Sequence, residues 1–325
     1  MIHGAAFTVG LAHVQPGESV DLTLKVSENY CGSPIHLPLH VVRGARPGPA
    51  VFVAGAIHGD ELNGTGIVRE LIVKNPPALE SGTLVLLPVV NMLGFERHSR
   101  YMPDRRDLNR SFPGSRHGSL AARLAHAVFD GIVRQCQYGI DLHTAANFRT
   151  NIPNVRADLS LPPAREIAEA FGCELVINSR GPRASLRRAA CDIGCAVIAL
   201  EAGEPWKIEP GVVKLGTRGI HNVLTSLGMI DGQLTRPHNQ IIVHRTVWLR
   251  AAEAGLLHFH VSPGESVHSG QLIATNASLL GRHTSVIRAT ASGIVIGMTT
   301  LPAVKPGDPV CHLAFPEIAP RSRHA

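Results

Sequence analysis

The chain has 325 residues, enough for about two domains and for a substantial buried core. Its 44% hydrophobic and 17% charged content excludes a disordered, collagenous or coiled-coil protein, and no apolar run approaches the roughly 18 to 20 residues that cross a bilayer. The net charge of +6 favours anionic partners, but the arginines concentrate at 97–116 and 180–188 without interleaved aromatics or a reader motif, so nucleic acid is not the expected partner.

In chain order, residues 1–45 form a strand-rich N-terminal segment, with VDLTLKV (20–26) and IHLPLHVV (35–42) as its strands. From 46 to 230 the pattern alternates. Strand-like VFVAGAI (51–57) leads to a helical stripe at Ile67, Val68, Leu71 and Ile72, then to strand-like TLVLLPVV (83–90). A helix over 119–133 precedes YGIDL (138–142), and helices near 163–171 and 183–193 flank ELVIN (174–178) and precede CAVIAL (195–200). Ile220, Val223, Leu224 and Leu227 close the region with another helical stripe. Strands alternating with helices predict an α/β fold with a mixed sheet flanked by helices. After the polar linker DGQLTRPHNQ (231–240), residues 241–325 read as a smaller all-β module of short strands and turn signals such as SPGES and KPGDP. The N-terminus lacks a basic start and a long apolar stretch, and the six scattered cysteines show no CxxC pair. Both features predict a cytoplasmic protein with reduced thiols.

Three segments place metal-compatible or acidic residues just beyond a predicted strand: AIHGDE with His58 and Glu61, DLHTA with His143, and ALEAGE with Glu201. Ligands of open α/β sheets sit outside the carboxyl ends of the strands, so these side chains are expected to share one rim. His58, Glu61 and His143 make a His2Glu set, which suits one catalytic zinc ion per chain. Zinc chemistry needs a base that is not itself a ligand, and Glu201 fills that role. Taken singly, each residue also has a structural reading: Asp60 as a helix cap, His143 as a core histidine, Glu201 as an arginine's partner. The loop RYMPDRRDLNRSFPG (100–114) supplies a cationic wall. Asn109 and Arg110 suit a substrate carboxylate, and Arg100 suits a developing oxyanion. A solvated basic loop is the alternative reading.

HGDE, DLNRSFPG, DLHTA and LEAGE, in this order, resemble the succinylglutamate desuccinylase/aspartoacylase family, a branch of the zinc carboxypeptidase-like enzymes. The resemblance covers residues 45–230. It implies a carboxypeptidase-type α/β domain that hydrolyses the amide of a small anionic N-acyl amino acid, with zinc on His58, Glu61 and His143 and Glu201 as general base. It further implies Asn109 and Arg110 as the carboxylate pair and Arg100 as the carbonyl-polarising residue. Arg105 and Arg106 lengthen that loop and compete for the last role. FRTNIPNVRADL (148–159) resembles a bacterial subgroup and adds Arg149 as a binding residue, while Arg187 and Arg188 either read a second anionic group or face solvent. The C-terminal module resembles the barrel-sandwich fold of biotinyl and lipoyl carriers, but 276–293 contains no lysine to carry a prosthetic group. Its expected part is to shape the active-site entrance or a homo-oligomer interface. A metallocarboxypeptidase acting on short peptides and a non-catalytic carboxylate-binding protein are the alternatives.

Overall fold

The structure is a computed structural model that describes residues 7–29 and 31–316. A short hairpin, β1 (Phe7–Val9) and β2 (Ala12–Val14), precedes the long antiparallel pair β3 (Ser19–Glu28) and β4 (Pro34–Arg43). Next come β5 (Arg46–Ala54), α1 (Asn63–Val73), β6 (Ser81–Leu87), the single turn α2 (Met92–Phe95), α3 (Leu120–Gly131) and β7 (Tyr138–His143). The region continues through β8 (Arg149–Ala157), α4 (Pro162–Phe171), β9 (Leu175–Asn178), α5 (Leu186–Asp192), β10 (Ala196–Gly203) and α6 (Pro210–Ser226). Strands only follow: β11 (Ile241–Arg250), β12 (Gly255–Phe259), β13 (Ser266–Val267), β14 (Leu272–Ala277), β15 (Thr284–Arg288), β16 (Gly293–Thr299), β17 (Ala303–Val304) and β18 (Pro309–Pro316).

The mixed α/β architecture expected from the alternation is present. At its centre β10, β7, β5 and β6 run parallel, and both faces of this sheet are covered. Side chains alternate between faces along a strand. Val51 and Val53 enter one apolar core with Ile67, Leu71, Ile167 and Ile220 of α1, α4 and α6. Phe52 and Ala54 enter the other, with Leu124 and Val128 of α3 and Leu186 of α5. Burial on both faces explains why these strands read as continuous apolar runs. Local signals end the helices where the sequence dictates: Pro162 opens α4, and Gly172 closes it in the left-handed region at φ +80°.

Two features depart from the expected layout. The polar segment 149–157 forms a strand, β8, that runs antiparallel to β10 and parallel to β9. Asn151, Pro153 and Asn154 hide it from an apolar-pattern reading. The C-terminal strands also continue the main sheet. β11 pairs with β9, and β16 pairs with β8 at Arg149–Asn151, while β12, β14, β15 and β17 form a separate small sheet. Among the described residues the cysteines are free thiols, four of them buried, and no helix is long and apolar enough to cross a membrane.

Candidate active site

Strand register sets the site. Glu201 of β10 lies opposite His143 of β7, and Ala54 of β5 lies opposite Asp141. Because Ile140 and Leu142 point into the α1/α4/α6 core, alternation turns Asp141 and His143 to the α5 side. Beyond Ala54 the chain makes the turn that carries His58 and Glu61 over the same rim. That turn requires Gly59, where a Cβ would stand 2.1 Å from the Gly94 carbonyl carbon, far inside any tolerable contact. Asp60 does not cap α1. The position before the helix is Leu62, without a side-chain cap, and both Asp60 carboxylate oxygens are buried without a hydrogen-bond partner.

His58, Glu61 and His143 are buried, with one ligand atom from each lying within 4.8 Å of the others. Glu61 is the hub: Oε1 lies 2.7 Å from His58 Nδ1 and accepts from Arg100 Nη1 at 2.7 Å. Its Oε2 lies 2.8 Å from His143 Nδ1 and accepts from the Thr144 N–H at 3.1 Å. Burial opposes ionisation of Glu61, but the charges of the two imidazoles and the hydrogen bond from His143 override it and hold the carboxyl well below its usual range. Burial likewise opposes charge on the histidines, yet Asp141 and Glu61 raise His143 well above its ordinary value, and Glu61 and Asp107 raise His58.

The donor set fits a metal ion. Each histidine turns Nδ1 inward and anchors Nε2 on an aspartate, His143 on Asp141 at 2.9 Å and His58 on Asp107 at 3.3 Å. Such outer partners fix the tautomer and raise ligand basicity. His58 Nδ1, though near Glu61, is out of hydrogen-bonding alignment and is a buried nitrogen without a partner. Asp141→Asn and Asp107→Asn should each weaken metal affinity about 10- to 100-fold, measured by competition with a chromogenic chelator; affinity equal to that of the parent protein would remove them from this role.

All eight sequence-predicted residues line one cavity of about 420 Å³. Glu201 accepts from Asn151 Nδ2 at 3.1 Å and lies 3.6 Å from Arg156 Nη1, so its carboxylate is held from β8. Asp107 caps a 3-10 turn, Leu108–Arg110, by accepting from the Asn109 N–H at 2.8 Å. Asn109 in turn accepts from the Leu186 N–H at 2.8 Å and brings Nδ2 within 3.4 Å of His143 Nε2. Arg110 is exposed at the cavity's edge and donates to the Asn109 carbonyl at 2.7 Å. Arg100 sits on Glu61 and lies 3.8 Å from Asp107. Arg105 and Arg106 are exposed, and neither lines the cavity.

The structure adds residues that sequence reasoning left out. Asp107 and Asp141 stood beside the motif residues and could have been found as partners for the histidines. Arg187 and Arg188, which the sequence left open between an anionic group and solvent, separate here: Arg187 is buried on α5, donates to the Ser179 carbonyl and lines the cavity, whereas Arg188 pairs with Asp192 on the helix surface. Asn151 and Arg156 come from β8, and Trp248 and His312 come from the C-terminal strands. Nothing near 248 or 312 in the sequence signals a site. Burial first, then the charges of Arg156 and Arg149, pushes His312 down to about 3. Its ordinary value is 6.5, so between these limits the unfolded chain binds a proton that the folded one refuses. Folding stability should therefore fall as pH drops from about 6.5 to 3, at up to ~1.4 kcal/mol per unit for this group. Denaturant titrations of His312→Asn should show a flatter profile over that window; an identical slope would remove His312 as its source.

Residues 47–227 match the model of the succinylglutamate desuccinylase/aspartoacylase catalytic domain. The N-alpha-acetyl-L-2,4-diaminobutyric acid deacetylase of Halomonas elongata is 26% identical over 294 residues, 86% of each chain. Among solved structures, a succinylglutamate desuccinylase from Silicibacter sp. TM1040 superposes with TM-score 0.84 at 21% identity, covering 95% of this chain and 98% of that one. A succinylglutamate desuccinylase/aspartoacylase from Rhodobacter sphaeroides gives 0.82 at 25% identity, with coverage of 93% and 97%. With the family model spanning more than half of its length and the matched segment carrying the His-Glu-His rim, the chain belongs to the succinylglutamate desuccinylase/aspartoacylase family.

Proposed function

We propose that this protein is a zinc-dependent amidohydrolase that removes the acyl group from a small N-acyl amino acid. The observation that carries the reading is the convergence of a buried His-Glu-His triad and the separate carboxylate of Glu201 on one arginine-lined cavity. The Halomonas relative's name, a deacetylase of an N-acetylated amino acid, supports the same class. The order of the ligands and their places after parallel strands favour a zinc-carboxypeptidase-like catalytic unit over residues 46–230.

His58 and His143 through Nδ1, and Glu61 through its carboxylate, would hold the ion. When bound, a zinc ion lowers the pKa of water toward 7 and polarises a carbonyl. Arg110 and Asn109 bind the substrate carboxylate at the cavity's edge, which fixes the amide in reach of the triad. Arg100, already oriented by Glu61 and Asp107, faces the negative charge that develops on the carbonyl oxygen. Glu201, held by Asn151 and Arg156 and not by the triad, accepts a proton at its carboxylate as water attacks and returns it to the leaving amine.

The test is a hydrolysis panel with zinc-loaded protein: N-acetyl, N-formyl and N-succinyl amino acids against short unblocked peptides. Release of free amino acid from the N-acyl series is the expected result. Trimming of peptides from their carboxyl end without N-acyl turnover would make it a carboxypeptidase. No turnover of either series with the metal bound would leave a carboxylate-binding protein.

A further inference from the structure

The face of the sheet that carries α1, α4 and α6 holds a second depression, away from the catalytic cavity. α1 and α6 lie side by side with their starts pinned together. Asn63 Nδ2 donates to Glu209 Oε2 at 2.8 Å, and the Glu209 N–H donates to Asn63 Oδ1 at 2.8 Å. Gly66 lets the two elements close up there, since a Cβ at that position would stand 2.6 Å from Ile208 Cγ2 and 3.1 Å from Val213 Cγ2. The spacing of the helices is therefore set by the fold itself. Their facing stripes, Arg69, Val73 and Lys74 on α1 and Val213, Thr217 and Arg218 on α6, border a groove of about 750 Å³. That volume falls in the range of small-molecule sites, roughly 300 to 1,000 Å³, and none of the lining residues is shared with the catalytic cavity.

The groove brings bare hydrocarbon and unpaired positive charge together. Val73 is 70% exposed and Ile208 49%. Arg69, Lys214 and Arg218 are exposed along it and, among the described residues, make no ion pair or hydrogen bond. Glu70 is the one carboxylate of the lining, and it is already engaged by Lys74 at 3.3 Å and by Asn75 Nδ2 at 2.8 Å. Thr217 is 7% exposed, and its hydroxyl is buried without a hydrogen-bond partner. A helical threonine can close its hydroxyl onto the carbonyl one turn back; this one does not, and an unpaired buried donor carries a desolvation cost that a ligand can remove. Cations beside exposed apolar side chains select a molecule that is negative at one end and apolar over the rest. A second copy of a chain with net charge +6 would bring like charge instead.

We infer that the groove between α1 and α6 is a second ligand site, which takes a small amphiphilic anion: a carboxylate or phosphate head on an apolar body. The head is drawn to Arg69, Lys214 and Arg218, with Thr217 supplying a neutral donor beside them. The body covers Val73, Ile208 and Val213, which removes their hydrocarbon from water. The site does not depend on what the catalytic cavity hydrolyses.

Calorimetry on the full chain tests the site. Octanoate and octyl phosphate distinguish the two heads. Acetate and inorganic phosphate carry the heads alone, and octanol and octylammonium carry the body without negative charge. Octanoate or octyl phosphate should bind one to one and at least about tenfold more tightly than any of these controls, the factor expected of a charge-assisted hydrogen bond or of two buried methylenes. Added salt should shrink the preference over octanol, because the cations are exposed. Arg69→Glu combined with Arg218→Glu should lower the affinity at least about tenfold, and Val73→Asp should weaken it as well. Arg69→Gln with Arg218→Gln serves as the milder pair if charge reversal disturbs the fold, and should reduce the affinity in part. Hydrogen exchange read by mass spectrometry should slow over 63–74 and 210–226 with the anion bound, and stay unchanged over 141–149. Equal binding of anionic and uncharged octyl compounds, binding unchanged in the groove variants, or no binding at all would overturn the site. Binding lost in Arg110→Met but kept in the groove variants would place the anion in the catalytic cavity and overturn it too. Sedimentation showing a dimer that Arg69→Glu with Arg218→Glu dissociates, without binding of either octyl anion, would give the groove to a second copy and likewise overturn it.

Discussion

Glu201→Ala is expected to lower kcat by about 10²- to 10⁴-fold, the usual contribution of a positioned general base, while the protein keeps one equivalent of zinc. The two outcomes separate because Glu201 and the triad are held differently. The register puts Glu201 beside His143 at the rim, but its carboxylate is tied to Asn151 and Arg156 of β8. It is not one of the three groups whose ligand atoms cluster. Removing it should therefore take away a proton acceptor and leave the ion's donors intact. Turnover together with metal analysis by mass spectrometry checks both halves. Near-full activity would refute the base assignment, and loss of the ion would place Glu201 among the ligands.

Glu61→Ala should be the most damaging single change, reducing turnover to background and abolishing stoichiometric metal. It should also destabilise the metal-free protein by about 3–5 kcal/mol, the cost of breaking a buried ion pair by deleting one partner. Glu61 is fully buried and serves both histidines, the Arg100 guanidinium and the Thr144 N–H at once. Without it, Arg100 and two imidazoles whose charged forms it favours would face one another across a largely buried rim. The comparison belongs between metal-free forms of both proteins, because ligand binding itself raises apparent stability. Urea unfolding and metal content provide the measurements. Full zinc occupancy in the variant would overturn the triad as the metal site.

The central strands were legible because burial on both faces leaves unbroken apolar runs such as Val51–Val53 and Leu84–Leu87. The rim was legible because polar residues that follow such runs have few structural reasons to be there. His58, Glu61, His143 and Glu201 all follow that pattern, and all meet in one cavity. β8 was not legible. It is half polar and carries Pro153, and its pairing comes from long-range partners on β9, β10 and β16. Trp248 and His312 were hidden for a related reason: each is one residue of an ordinary strand, and only the three-dimensional path of β11 and β18 brings them to the cavity. Asp60 shows the opposite error, since an acidic residue just before a helix reads as a cap, whereas its carboxylate lies buried in the turn before α1 and caps nothing.

The way β11 and β16 zip onto β9 and β8 has a practical consequence for protein engineering. Cutting the gene after residue 240 would strip backbone partners from two strands at once and bare a ragged, adhesive margin right beside the reaction chamber. Bare margins of this kind recruit other chains. A shortened enzyme would be expected to clump on expression, and its few soluble molecules would have a chamber missing one side.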